Sequence, residues 1–432
     1  MSTSTRKDKS RPLNSGRLVT WSLFALVLVV APLLFNSSLS HTMLSQMGIA
    51  IIVCLSYNML LGQGGMLSFG HAVYSGLGAF IAIHTLNLVT QGRLLLPVSL
   101  VPLAGGLAGV AFALMLGWVT TKKSSTTFAM ITLGVGELVW AMSLMFPEFF
   151  GGEGGVSGNR VTGPKPLGIT FGPQVQLYYL IAFYTFVSTA LMFAFTRTPL
   201  GRMLNAVRDN PERVEFVGYD TQKVRFISFV IAAFFAGISG GLAALNFEIV
   251  TSEVVSGYRS GAYLLFTFLG GATFFFGPII GAILMVLAFV LLSEFTKAWL
   301  LYLGLVFLFM VMFAPGGFAS LIMMNVRVAS FGKLKPLWSS YLALFASGLI
   351  AFIGVAAMIE MLYHLQLDAT PGSRLRFMGL ELNASAPGPW ASATVVLLVG
   401  IGLFELARRR FVVRWEDTQQ AIEKEIKRRG AP

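Results

Sequence analysis

Residues 60–80 read LLGQGGMLSFGHAVYSGLGAF. Six glycines, a glutamine, a histidine and two serines lie here between two strongly apolar runs. Glycine costs a helix interior about 1 kcal/mol relative to alanine, and hydrocarbon has no water to satisfy loosened backbone. A membrane chain therefore carries such a stretch only beside protein or a water-lined cavity. Gly62, Gly64 and Gly65 fall at the junction of the second and third apolar runs, where glycine lets the backbone turn tightly or run irregularly. Gln63, Ser68 and His71 would satisfy the freed groups or face a permeating solute. Further on, Ala72, Gly76 and Ala79 form a small-residue stripe at helical spacing, flanked by Gly70 and Gly78. That stripe predicts close packing of a helix against a neighbour. The stretch reads as a hinge or broken segment followed by a tightly packed helix.

Composition places the rest of the chain in the same solvent. Of 432 residues, 55% are hydrophobic and 12% charged, with mean hydropathy +0.75, against about 25% charged in a soluble domain. This is an all-α polytopic membrane protein. A bilayer span needs about 20 mostly apolar residues, and twelve candidates lie near 18–35, 42–61, 68–88, 96–120, 126–146, 177–195, 225–246, 259–275, 278–295, 299–313, 338–363 and 390–407. The basic segment 1–17 precedes a run too long for a signal-peptide core, so that run is expected to be a retained helix. The single cysteine, Cys54, lies in an apolar run, reads as a small buried hydrophobe, and excludes an internal disulfide.

An even number of spans puts both termini on one side, and charge chooses it. With the termini cytoplasmic, the inside segments 1–17, 122–123, 196–225, 314–337 and 408–432 hold 24 of the 31 Lys and Arg residues. The positive-inside bias accounts for the net charge of +12 without nucleic acid as a partner. The tail RRRFVVRW (408–415) reads as a stop at the anionic leaflet.

The inner loop 196–225 looks structured. Thr198-Pro199 fits an N-cap with proline at the first helical position. Leu200, Met203, Leu204 and Val207 then recur at helical spacing. Asn210-Pro211 repeats the start signal, Glu212 suits the first turn, and Gly218 offers a stop. Two short helices are predicted, about 199–209 and 211–217. One reading rests them on lipid headgroups; another inserts one into a groove on a partner protein and passes force to the adjoining spans.

At these residues the chain resembles a known family. TPLGRMLNAVRDNPERVEFVGYDTQKVRFISFVIAAFFAGISGGLAAL (198–245), NMLLGQGGMLSFGHAVYSGLGAF (58–80), TFLGGATFFFGPIIGAIL (267–284) and LGLVFLFMVMFAPGGFASL (303–321) resemble segments of the permeases of branched-chain amino acid (Liv-type) ABC importers, in family order. The resemblance covers roughly residues 42–322. It implies a translocation subunit paired with a sister permease, served by two cytoplasmic ATPase subunits and a periplasmic binding protein docking near 147–176, in a bacterial inner membrane. Substrates of such permeases are branched-chain and other amino acids, amides or urea. By position, Gly201, Arg202, Ala206, Val207, Arg208, Asp209, Asn210 and Gly218 would form the ATPase contact. The chain would carry no cofactor and be no enzyme, with ATP used by its partners; no GxxxxGK[ST] occurs in it.

The sequence departs from the family pattern at KKSSTTFAMITLGVGEL (122–138), and it continues about a hundred residues beyond the family's usual end. The implied layout is a bundle of about ten core spans over 18–325 with the coupling loop 196–225, a linker 326–337, an added two-helix hairpin 338–407 and a charged tail 408–432. Glu137, near the middle of the fifth candidate span, is either a structural glutamate bonded to a neighbouring helix or a polar point on the substrate path. Glu294, Glu360 and Glu405 lie near span ends and are expected to snorkel. His71 is more readily a hydrogen-bonded structural residue than a ligand, and His41, His84 and His364 lack metal spacing. A nucleophile–base set is not visible. An ion-coupled secondary carrier of 6+6 spans also fits twelve spans, but only Glu137 is deep and ionisable, where a proton relay needs partners.

Overall fold

A computed structural model describes residues 15–123, 125–163, 168, 170–367, 374–377 and 379–430. All but the last three residues of the basic segment read over 1–17 lie outside them. The helices are α1 (Ser15–Leu34), α2 (Ser38–Asn58), α3 (His71–Thr90), α4 (Val101–Thr120), α5 (Ser125–Met145), α6 (Pro147–Phe150), α7 (Gln174–Arg197), α8 (Pro199–Asp209) and α9 (Pro211–Phe216). They continue as α10 (Thr221–Phe247), α11 (Gly257–Gly270), α12 (Gly277–Leu287), α13 (Ser293–Phe295), α14 (Trp299–Phe313), α15 (Gly317–Ser330), α16 (Trp338–Leu367) and α17 (Pro387–Gly430). Two small antiparallel ladders join them: β1 (Val156–Ser157) with β2 (Ile249–Val250), and β3 (Arg374–Phe377) with β4 (Leu380–Asn383).

Among the described residues, nine helices are long and apolar enough to cross a membrane, ten if α14 and α15, bent by 50°, count as one span. Hydropathy along the sequence offers twelve candidates. The shortfall has local causes. The apolar part of α1 runs only over Leu18–Leu34. The 259–275 candidate ends at Gly270, after the 14 residues of α11. Gly271 there takes φ +113°, and a Cβ on Gly270 would collide with the carbonyl of Gly277. The chain therefore doubles back at once into α12. The last candidate, 390–407, is the first part of a 44-residue helix that runs on through the segment read as a tail.

The chain divides into two compact units, residues 1–291 with 310–319, and residues 292–309 with 320–432. In the first, α3, α4 and α10 pack so closely that backbones touch. A Cβ on Gly78 would stand 2.6 Å from Gly237 Cα and 2.9 Å from the Gly105 carbonyl oxygen. Cβ atoms on Gly109 and Gly240 would collide with the carbonyls of Ala233 and Ser75. Lipid gives no hydrophobic drive for helices to meet, so such close approach supplies the association energy. Of the stripe read in α3, Gly76 faces Val254 and Val255 instead of a neighbouring span; Gly78 makes the interhelical contact.

The described residues of the 147–176 loop are held by pairing and hydrogen bonds. Val156 pairs with Val250. Arg160, its side chain 11% exposed, donates to the carbonyls of Leu245 and Asn246 at 3.1 and 3.2 Å, and to those of Phe171 and Gly172. A guanidinium here satisfies the orphan carbonyls at the end of α10.

In the second unit α16 and α17 form a hairpin, with Cβ atoms on Gly354 and Gly400 meeting the backbones of Leu397 and Ala351. Glu360, expected to snorkel, instead accepts hydrogen bonds from the hydroxyls of Thr296 and Tyr302.

Gly237→Leu is expected to cut the yield of monodisperse protein in detergent at least five-fold, because overpacking of a filled contact costs about 1–3 kcal/mol or more. Gly134→Leu, where a Cβ meets nothing within 4 Å, should leave the yield unchanged; both are read by size-exclusion chromatography.

Candidate functional site

The inner loop folds as two capped helices. Thr198 Oγ1 accepts the Gly201 N–H at 3.1 Å and donates to the Phe195 carbonyl at 2.7 Å. Pro199 then opens α8 at φ-compatible cost. Asn210 Oδ1 accepts the Arg213 N–H at 3.0 Å to start α9. Asp220 accepts the Lys223 N–H at 3.1 Å to start α10. That backbone N–H holds the Asp220 carboxyl below its usual range, with the Lys223 ammonium adding to the effect. Gly218 ends α9 at φ +91°. One further bond fixes α9 to α10: Thr221 donates to Glu215 at 2.8 Å, and buried Arg225, one turn further along α10, donates to Thr221.

The eight positions assigned to the ATPase contact separate by direction. Arg202, Ala206, Asp209 and Gly218 are exposed. Gly201 is buried, and a Cβ there would strike the Phe195 carbonyl; Val207 is buried with Leu204. Asn210 is half-buried and serves as a cap. Arg208 reaches both ways: its guanidinium pairs with Asp209 at 2.9 Å and donates to the Gly62 carbonyl. Sequence reasoning missed two neighbours on this surface, Phe216 and Val217, which are 88% and 74% exposed. Their signal was a pair of large apolar residues just before the stop at Gly218.

The partner of Arg208 lies in the glycine-rich stretch. Helix α2 does not end cleanly; it passes into a π turn over Met59–Gln63. The Leu60 carbonyl then accepts from both Gly64 and Met66, and Gly65 takes φ +63°. A Cβ on Gly65 would stand 2.7 Å from the Arg208 side chain, so glycine leaves the groove in which that side chain lies. The irregular backbone expected at 62–65 is present, and α8 sits against it.

The other positions assigned to a pathway lie elsewhere. His71 is fully buried, with Nε2 2.7 Å from Ser56 Oγ and the ring edge-on to Tyr57. Tyr57 donates to the Ser68 carbonyl at 2.9 Å. The Ser68 hydroxyl and His71 Nδ1 are buried without a protein partner. Gln63 is half-buried. Glu137 is exposed on α5, its carboxylate beside Gly257 at the start of α11. None of the seven lines the cavity of about 130 Å³ bounded by α2, α3, α10, α11 and α12.

That cavity has apolar walls, among them Ile49, Val53, Val254 and Val286, and polar points at Gln46, Ser75, Ser239, Tyr263 and Arg259. Arg259 is its one charged lining residue among those described. Its guanidinium stands 3.4 Å from Glu253, while its Nε is buried with no partner in the protein. In the sequence Arg259 was one of only seven basic residues off the inner side. No group of three or more His, Cys, Asp and Glu residues able to hold a metal occurs among the described residues.

Gly65→Ala should lower stability by about 1–2 kcal/mol from the left-handed backbone alone, and further by displacing Arg208. Gly218→Ala, strained but with open space around it, is the control. The apparent melting temperature of the detergent-solubilised chain should fall more for the first variant.

A family model described as branched-chain amino acid transport system, permease component, matches residues 40–315. The LivM permease of the high-affinity branched-chain amino acid transport system of Salmonella typhimurium is 27% identical over 348 residues, covering 75% of this chain and 80% of that protein. LivM of Escherichia coli is 27% identical over 330 residues, covering 71% and 76%. The galactose/methyl galactoside import permease MglC of Haemophilus influenzae is 24% identical over 310 residues, covering 69% and 90%. No solved structure matches. The matched region contains the π turn, the capped loop helices and the cavity, and the chain belongs to the branched-chain amino acid transport permease family, as a multi-pass membrane permease and not an enzyme.

Proposed function

We propose that the chain is the translocation subunit of an ATP-driven importer of branched-chain or related amino acids in a bacterial inner membrane. Both termini lie in the cytoplasm, the membrane-embedded partner is a sister permease, two ATPase subunits dock on 196–225, and a periplasmic binding protein delivers the solute. The permease core is 18–325. The observation that carries this reading is the contact of Arg208 with the Gly62 carbonyl. Helix α8 is thereby bonded to the irregular end of a span, while Phe216 at the end of α9 and Val217 just after it face outward.

Such a joint converts a push into a conformational bias. ATPase closure moves α8 and α9 as one capped body. The motion reaches α2 through Arg208 and reaches α10 through the bond of Glu215 with Thr221. Two states of the spans are then favoured in turn by nucleotide state. Arg202, Ala206 and Asp209 are the exposed positions that meet the ATPase; Gly201, Val207 and Arg208 hold the helix to its own chain.

The cavity supports an amino acid as solute. The unpartnered Arg259 donor suits an α-carboxylate, and Ile49, Val53 and Val286 suit a branched side chain. The α10 helix has 27 residues and is about 40 Å long at ~1.5 Å per residue. The cavity lies against its second half and the loop helices against its start.

The test is uptake of leucine into proteoliposomes carrying the chain with its sister permease, ATPases and binding protein. ATP-dependent uptake is expected. Arg208→Glu should cut uptake at least ten-fold while ATPase activity persists. Arg259→Gln should cut it similarly, and Arg259→Lys less. Uptake that needs no ATPase and follows a proton gradient would sink the importer reading.

A further inference from the structure

Residues beyond 315 lie outside the family match, so the hairpin of α16 and α17 needs its own account. Between these helices runs a groove of about 580 Å³. One end is polar and basic, with Ser339, Ser340, Arg410 and Arg414. The remainder is mostly apolar, with Ala346, Ile350, Leu403 and Leu406; Ser347, its polar residue, spends its hydroxyl on the Ala343 carbonyl at 2.7 Å. We infer that this groove is a binding site for one anionic phospholipid, its phosphate held by Arg410 and Arg414 and an acyl chain laid along the apolar part.

Length agrees first. The helices run antiparallel, and both 339–350 and 403–414 cover eleven residue steps, about 16 Å at ~1.5 Å per step. That is half of the ~30 Å hydrocarbon thickness, one leaflet. The polar end is also at the level of a membrane surface. Tyr341 and Trp415 cluster beside it, both near Phe411, exposed Trp338 directly precedes Ser339, and Trp and Tyr concentrate at membrane–water boundaries.

Charge agrees next. Arg410 and Arg414 are four residues apart and share one face of α17. Arg414 donates to the hydroxyls of Ser339 and Ser340 at 2.9 Å, which orients the guanidinium without neutralising it. Of the carboxylates on this part of α17, Glu405 is engaged by Arg408 and Arg409 at 2.7 and 2.9 Å, and Glu416 and Asp417 follow Arg414 in the chain without pairing with it. Among the described residues no carboxylate pairs with Arg410 or Arg414. Two uncompensated guanidiniums beside serine hydroxyls match a phosphodiester, and basic pockets between spans are where lipid headgroups settle. A free phosphate would use the basic end and leave the apolar channel without an occupant; a phospholipid uses both.

The experiment is native mass spectrometry of the full chain purified in detergent and supplemented with phosphatidylglycerol or phosphatidylcholine, with inorganic phosphate as a third arm. One phosphatidylglycerol per chain should remain bound, at least five-fold above phosphatidylcholine. Arg410→Gln should lower that occupancy at least three-fold. Ala346→Phe, an exposed position where a ring fills the channel, should lower it similarly while leaving the melting temperature unchanged. Equal occupancy by phosphatidylcholine, or full phosphatidylglycerol occupancy in either variant, overturns the inference. So does loss in Arg410→Gln but not in Ala346→Phe, which would reduce the site to a surface anion patch that inorganic phosphate also fills.

Discussion

The close approach of α3, α4 and α10 is the constraint on which the first unit depends. In lipid, two leucine-covered helices gain little by touching, since the tails around them are equally apolar. Association must come from contacts that lipid cannot make. Gly78, Gly105 and Gly237 bring backbone to backbone, where dispersion and carbonyl contacts are densest. Three consequences follow for the rest of the unit. Helix α10 becomes the central post. The loop helices at its start and the Arg160 knot at its end are tied to it. The cavity is the space left where α2 and α3 pack on this post and α11 and α12 pack on α2 without closing on it.

Much of this was legible in the sequence, for identifiable reasons. Thr198-Pro199 and Asn210-Pro211 are local signals, and α8 and α9 begin where those pairs stand. The glycines at 62, 64 and 65 marked irregular backbone, and the π turn and left-handed Gly65 lie there. Hydropathy identified most long helices. It overcounted where a short apolar helix doubles back, because an apolar window cannot reveal a Gly270–Gly277 contact that ends a helix early. It also stopped α17 too soon, since charge ends a membrane span but not a helix.

The site was harder to read because its partners are distant in sequence. Nothing local links Arg208 to Gly62, 146 residues away. Its basic charge was sufficiently explained by topology, so its inward bond had no separate signal. Glu137 drew attention as an ionisable residue in an apolar run, yet it lies on the surface of this chain. Arg259 drew less, although its place off the inner side was the anomaly. For an arginine in an apolar chain, the side of the membrane is the informative variable, and depth in the hydropathy profile is the weaker one.

The π turn at Met59–Gln63 carries a mechanical consequence of its own. A π turn stores one residue more than an α turn. Releasing that surplus along the chain would rotate everything beyond it by about 100° and advance it by about 1.5 Å, the step of a single helical residue. The end of this span can therefore change by a discrete click and not by gradual bending. The carbonyl that Arg208 holds, at Gly62, lies inside the turn that would have to give.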